Sequence, residues 1–216
     1  MNYRYVIFDL DGTLTDPMIG ITKSVAYSLK KLKGLEININ ELTRFIGPPL
    51  KESYMMFYGM TESESEVAIQ YYREYFKETG ILENEIYEGI EELLVDLKSN
   101  GLELMVATSK PTVFAEVIVD HFGIGDYFSH IVGSNLDGTR VKKAEVIEEV
   151  LKRAFITNKE DVIMIGDREH DIIGANQVGI DSIGVEYGYG SKKELMQAGA
   201  NHIVENIREL RDIILT

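Results

Sequence analysis

Asp9 and Asp11 stand two residues apart in the stretch FDLDGTLTD, at the end of an apolar run. On a continuing strand that spacing would put both carboxylates on one face, and Gly12 would let the chain turn sharply just after. Two neighbouring carboxylates repel, and a divalent cation relieves the repulsion. Asp167, which closes another apolar run, would add a third oxygen ligand and make a hard site suited to Mg²⁺, with positions left for water and a phosphate oxygen. There is no cysteine and no histidine pair at ligand spacing, which argues against zinc. A carboxylate beside such a cation can attack phosphorus, and a second can protonate the leaving oxygen and then activate water. A lysine and a hydroxyl can hold the remaining phosphoryl oxygens, where charge must be balanced. Thr108, Ser109 and Lys110, then Lys142 and Lys143, and finally Asp171 are placed to complete that set.

Each fragment alone has an ordinary explanation. Asp-Gly-Thr is common turn chemistry, Ser109-Lys110-Pro111 could begin a helix, and Lys142 and Lys143 could be solvated. Their order along the chain, each beside an expected strand end, is what gives them weight. The four histidines (His121, His130, His170 and His202) are scattered and take no role.

The elements that must position these residues read as short apolar strands separated by helices. Residues 5–10, 102–108, 128–133, 162–166 and 182–185 are expected strands, with 202–204 a short sixth. Several are apolar almost throughout, as strands covered on both faces are. Helices are expected over 88–99, with Ile90, Leu93, Leu94 and Leu97 on one stripe, over 111–121, and over 142–153, where Val146, Ile147, Val150 and Leu151 fall together. Alternation of this kind predicts an α/β fold with a doubly wound parallel sheet, whose ligands gather at the carboxyl ends of the strands. Between residues 16 and 84 the alternation stops. Ile21, Val25, Leu29 and Leu32 share a helical face, as do Val67, Tyr71, Tyr75 and Phe76, and a third helix is expected over 50–58. The expected organisation is a core domain of residues 1–15 and 85–216, with 16–84 an inserted helical cap domain.

Composition excludes several partners. The 216 residues carry 36 acidic and 22 basic side chains, a formal net charge of −14, which repels nucleic acid and anionic membrane. A small phosphorylated metabolite is still admissible, because a metal ion and one or two lysines can reverse the field within a cleft. The N-terminus lacks the pattern of a signal peptide, no apolar run approaches membrane-span length, and a cytoplasmic location is expected. Either a monomer or a homodimer is compatible with these features.

FDLDGTLTD, ATSKP, a lysine at a helix start and GDREHD together resemble the four signature motifs of the haloacid dehalogenase-like hydrolase superfamily, over essentially the whole chain. YEGIEELLVDLKSNG, GSNLDGTRVKKAEVI and GVEYGYGS resemble its phosphoglycolate phosphatase-like branch, with a helical cap after the first motif. The resemblance implies a Rossmann-like core and an Mg²⁺-dependent phosphatase that works through an aspartyl-phosphate. It implies Asp9 as nucleophile and metal ligand, Asp11 as general acid/base with its carbonyl on the metal, and Asp167 as a further metal ligand. Thr108, with the Ser109 N–H, corresponds to the phosphoryl-binding motif, and Asp171 to the acid that orients the lysine or a metal-bound water. The third motif departs from the usual Lys-Pro. Lys143 is favoured because Val146 and Ile147 then face inward; Lys142 is the alternative, and Lys110 a further basic candidate at the phosphate. Arg44 and Gly47, in RFIGPP, resemble the substrate-facing cap loop, although Arg44 could equally be a surface arginine beside a turn. The expected substrate is a small phosphomonoester, phosphoglycolate or a nucleoside 5′-monophosphate, with β-phosphoglucomutase-type transfer on a sugar phosphate as the alternative.

Overall fold

The computed structural model describes residues 3–216. In chain order the elements are β1 (Tyr5–Phe8), β2 (Thr15–Asp16), α1 (Met18–Lys33), α2 (Leu50–Tyr58), α3 (Glu62–Tyr75), β3 (Glu85–Ile86), α4 (Ile90–Ser99), β4 (Glu103–Pro111), α5 (Thr112–His121), β5 (Phe128–Ser134), α6 (Lys143–Arg153), β6 (Val162–Gly166), α7 (Glu169–Val178), β7 (Asp181–Val185), α8 (Lys192–Ala198), β8 (His202–Val204) and α9 (Ile207–Leu215). The chain separates into two compact units, Met1–Thr15 with Ile86–Thr216, and Asp16–Glu85.

The larger unit is built on a six-stranded sheet of order β5-β4-β1-β6-β7-β8, with every neighbouring pair parallel. Its central strands are buried on both faces. Val6, Ile7, Leu104, Met105, Val106, Ile163 and Met164 have no exposed surface, which explains why the sequence there runs apolar without alternation. On one side α6 presents Val146, Ile147, Val150 and Leu151 to a core shared with Ile7, Met105, Val132 and Met164. Each such side chain contributes about 1.5–3 kcal/mol by leaving water. The strand order reverses direction at β1, so the crevice beyond β1 and its two neighbours is the topological switch point. Phe8 is level with Val106 of β4 and Ile165 of β6. That register brings the residues following the three strands to one edge.

The strands lie where the apolar runs predict them, with two informative differences. The ladder of β1 stops at Phe8 rather than continuing to Leu10. Beyond it Asp9 N–H still donates to the Ile165 carbonyl at 2.8 Å, but the Leu10 carbonyl accepts from Leu14 and Thr15 (2.9 and 3.0 Å). A tight turn forms with Gly12 at φ 85°, a conformation that favours glycine. Asp11 therefore sits on the turn and does not share a strand face with Asp9. At the other difference, β4 runs on past Thr108 to Pro111, with a register shift against β5 between Ala107 and Pro111.

The smaller unit is helical. Ile21, Val25 and Leu29 of α1 are buried as their spacing predicts. A one-turn-after-another 3₁₀ segment over Ile39–Phe45 leads towards α2, and Phe45 and Tyr54 meet edge to face at 5.1 Å. In α3 the deep face is Ser65, Ala68 and Tyr72, continued by Phe76 just past the helix end; Phe76 is buried as expected, while Val67, Tyr71 and Tyr75 are only partly buried. Small residues at 65 and 68 let a neighbouring helix approach closely, while Tyr71 and Tyr75 lie on the flank, where their hydroxyls keep polar surroundings. Tyr75 uses its hydroxyl on Glu83 at 3.2 Å.

Candidate functional site

Six buried ionisable side chains collect at the carboxyl ends of β1, β4 and β6 and the starts of α6 and α7. They are Asp9, Asp11, Lys110, Lys143, Asp167 and Asp171, none more than 8% exposed. Burial of so many charges requires pairing, and most of it is visible. Lys143 Nζ lies 2.8 Å from Asp9 Oδ1 and 2.8 Å from Asp171 Oδ1, and donates to the Ala107 carbonyl at 3.0 Å. The ammonium thus lies within 3.0 Å of two carboxylate oxygens and a carbonyl oxygen. Lys143 reaches this point because α7 crosses α6 at Gly174, where a Cβ would fall 2.8 Å from that of Lys143. Lys142 is exposed. Asp171 stands in the first turn of α7, and its Oδ2 accepts from the Arg168 N–H at 3.0 Å. It both caps the helix and fixes the acid that faces the lysine.

The second pair is Lys110 with Asp11, Nζ to Oδ2 at 2.9 Å. The extension of β4 past Thr108 carries Lys110 to it. Thr108, 1% exposed, accepts from the Lys110 N–H at 3.2 Å, and the Ser109 carbonyl accepts from Ser134 Oγ at 2.8 Å, so this segment is pinned on both sides. Arg44 and Gly47 belong to the helical unit, where the Arg44 guanidinium lies 4.3 Å from the centre of the Phe57 ring.

Asp167 is different. It is fully buried, its Oδ2 accepts the Tyr189 N–H at 2.7 Å, and its Oδ1 has no partner. Asp9, Asp167 and Asp171 each offer a carboxylate oxygen within 4.8 Å of the others. Burial, then the charges of Asp171 and Asp9, hold the Asp167 carboxyl well above its usual range. Burial likewise raises Asp11, opposed by Lys110, and Asp171, opposed by Lys143. Burial would lower Lys143, but Asp171 and Asp9 carry it above its ordinary value. Four carboxylates and two ammoniums leave two negative charges when all are ionised, the amount one divalent cation neutralises. With an unpartnered buried oxygen and an all-oxygen donor set, the residues fit Mg²⁺.

Sequence reasoning passed over Tyr187 and Tyr189. The Tyr187 hydroxyl donates to the Thr13 carbonyl at 3.0 Å, and Tyr189 holds Asp167 through its backbone. The available signal was the pair of glycines, Gly188 and Gly190, just past a strand end, since glycine there marks close backbone approach.

The family model described as haloacid dehalogenase-like hydrolase matches residues 6–185, and the chain belongs to that family. A protein named 5′-nucleotidase from Pseudomonas aeruginosa is 44% identical over 214 residues, covering 99% of this chain and 96% of the relative. One named tyrosine-protein kinase PtkA, from Mycobacterium tuberculosis, is 41% identical over 188 residues, 87% of this chain but 63% of the relative. A crystal structure of a predicted phosphatase from Clostridium acetobutylicum is 52% identical with a TM-score of 0.97, covering 100% of this chain and 99% of that one. Within the family the chain is a phosphoric monoester hydrolase. No helix among the described residues is long and apolar enough to cross a membrane.

Proposed function

We propose that the protein is an Mg²⁺-dependent phosphatase that hydrolyses a nucleoside 5′-monophosphate, or a compact phosphomonoester such as phosphoglycolate, through an aspartyl-phosphate on Asp9. The observation that carries this is the Lys143 ammonium held between Asp9 and Asp171, beside an Asp167 oxygen with no partner. That arrangement aims a carboxylate and leaves a vacancy of charge for a cation. The relative named 5′-nucleotidase, which this chain matches almost end to end, supports the nucleotide over the other substrates.

In the proposed reaction an Asp9 oxygen forms a bond to phosphorus as the bond to the leaving oxygen breaks. Asp11 donates its proton to that oxygen; burial, which raises the Asp11 carboxyl, favours the protonated form this step needs. Asp11 then takes a proton from water as the water oxygen attacks phosphorus, releasing phosphate and restoring the Asp9 carboxylate. Thr108 Oγ1, the Ser109 N–H and Lys143 hold the phosphoryl oxygens, where negative charge must be met in the transition state. Asp171 keeps Lys143 in place. Asp9, the Asp11 carbonyl and Asp167 would hold Mg²⁺, which when bound supplies charge neutralisation that lets an anionic carboxylate approach an anionic phosphate. The helical unit, as a cap, carries substrate selection, with Lys110, Arg44 and Gly47 as further candidate contacts. A cytoplasmic location is part of this proposal, and the net charge of −14 favours small metabolites over nucleic acid or anionic membrane as partners.

The test is phosphate release from a panel of nucleoside 5′-monophosphates, phosphoglycolate and sugar phosphates, with Mg²⁺ and with EDTA. Release from a nucleotide that needs Mg²⁺ is expected. Isomerisation of a sugar phosphate without release, phosphoryl transfer to tyrosine in place of water, or equal rates in EDTA would overturn the reading.

A further inference from the structure

The loop between β7 and α8 passes beneath Asp167 at unusually short range. A Cβ on Gly188 would fall 2.4 Å from Asp167 Cβ and 2.3 Å from the Gly12 carbonyl oxygen, and one on Gly190 would fall 1.9 Å from the Asp167 carbonyl oxygen. From the opposite side, a Cβ on Gly12 would fall 2.2 Å from Asp167 Oδ2. The carboxylate is therefore clasped between two stretches of bare backbone, and neither stretch tolerates a side chain where it touches.

Two hydrogen bonds give the clasp a direction. The Tyr189 N–H donates to Asp167 Oδ2 at 2.7 Å, and the Tyr187 hydroxyl donates to the Thr13 carbonyl at 3.0 Å. Tyr187 is also packed edge to face on Tyr87, with centroids 5.2 Å apart. The tyrosine thus ties the loop to the turn that carries Asp11 and Gly12, and the loop's backbone in turn occupies one oxygen of Asp167. The other oxygen, Oδ1, is buried and unpartnered.

A free carboxylate can rotate and offer a cation either one oxygen or both. Mg²⁺ demands near-octahedral geometry and single-oxygen ligands, whereas Ca²⁺ tolerates bidentate binding in a larger, looser shell. Groups that fix a ligand from behind are worth 10–100-fold in metal affinity. We propose that Tyr187–Gly190 is a positioning segment for the metal centre, locking Asp167 to present only Oδ1 and so setting both the affinity for Mg²⁺ and its preference over Ca²⁺. This rests on the metal centre assigned above. Tyr187 touches neither substrate nor metal in this role; it acts through Asp167.

The experiment compares wild type, Tyr187→Phe and Gly188→Ala by calorimetric titration with Mg²⁺ and with Ca²⁺ on the metal-free full chain, alongside kinetics at varied Mg²⁺. Tyr187→Phe should weaken Mg²⁺ binding by about tenfold and Ca²⁺ binding by less, with kcat recovered at saturating Mg²⁺ and the KM for substrate unchanged. Gly188→Ala should lose more Mg²⁺ affinity. Because that variant is the one at risk of misfolding, the phenylalanine variant decides the matter. A wild type that binds Mg²⁺ beside a Tyr187→Phe variant that binds both cations with the same constants would overturn this inference alone. A loss of melting temperature with unchanged cation binding would likewise reduce the loop to a structural part. A wild type that binds no Mg²⁺ would overturn the metal centre and this inference with it.

Discussion

Replacing Lys143 by methionine keeps the length and apolar stem of the side chain and removes its charge. In the native arrangement the ammonium lies 2.8 Å from both Asp9 and Asp171 and donates to the Ala107 carbonyl at 3.0 Å. The two acids are 3% and 1% exposed, so water cannot replace the lost partner. Removing one member of a buried ion pair costs about 3–5 kcal/mol, because the remaining charge is left uncompensated. For a chain of 216 residues, each kcal/mol shifts the melting temperature by roughly 2–4 °C, so a fall on the order of 10 °C is expected in EDTA. Mg²⁺ should recover part of it, since the variant's acidic cluster has one more uncompensated negative charge. Activity should not recover with it. Loss of a preorganised positive group at the phosphoryl oxygens costs about 10²–10³ in kcat even when the fold is intact. The control is Lys142→Met, at an exposed position, with an effect within about 0.5 kcal/mol. Scanning calorimetry with and without Mg²⁺, paired with phosphate release at saturating substrate, reads both quantities. If Lys143→Met melted and turned over like wild type, or if Lys142→Met carried the larger loss, the assignment of the third-motif lysine and its charge network would be wrong.

Asp9→Asn should reduce turnover by about 10⁴ or more, with substrate binding retained; a rate near wild type in steady-state assays would remove it as nucleophile. Asp11→Asn should lower kcat by about 10²–10⁴ while calorimetry finds Mg²⁺ affinity within a few-fold of wild type, because its carboxylate faces Lys110 and only its carbonyl is proposed to reach the metal; equal loss of both would refute that division. The Asp167 carboxyl is raised above 3.8 by burial foremost, so in metal-free protein the stability it contributes is complete below that ordinary value and is lost as pH rises through the raised one. The melting temperature of wild type relative to Asp167→Asn, measured in EDTA, should therefore fall with rising pH. Mg²⁺ binding should tighten over the same range as the proton it displaces becomes easier to remove; a pH-independent difference would show that Asp167 is ionised without the metal.

The parallel core was legible because strands buried on both faces must be apolar throughout, and Val162–Gly166 begins and ends where composition changes. Lys143 was separable from Lys142 for a similar reason: the helix that buries Val146 and Ile147 also turns Lys143 inward. Other features depend on backbone approach, which leaves little trace in residue type. The pairing of Lys110 with Asp11 follows from β4 running three residues past Thr108, and nothing in Thr-Ser-Lys-Pro announces that the ladder continues. The stripe expected around α3 was right at Phe76 but one residue off within the helix, because Ser65 and Ala68 carry little hydrophobic signal, yet small residues are what permit close helix contact. The clasp on Asp167 is made mainly of backbone, tied by the Tyr187 hydroxyl, and shows in sequence as glycines at 12, 188 and 190.

The two halves of the charged cluster are balanced in different ways. Lys143 stands between Asp9 and Asp171, and Lys110 stands against Asp11; with all groups ionised the first set keeps one negative charge and the second none. Asp167, like Asp11, keeps a buried oxygen with no hydrogen-bond partner, and burial with the charges of Asp171 and Asp9 raises its carboxyl. The remaining negative charge gathers at Asp9, Asp167 and Asp171, whose carboxylate oxygens lie within 4.8 Å of one another, where the proposed nucleophile and the proposed cation would meet. Electrostatic catalysis depends on charges fixed in advance of the reaction, and here the fixing is done by Lys143, Lys110 and the backbone N–H groups of Arg168 and Tyr189.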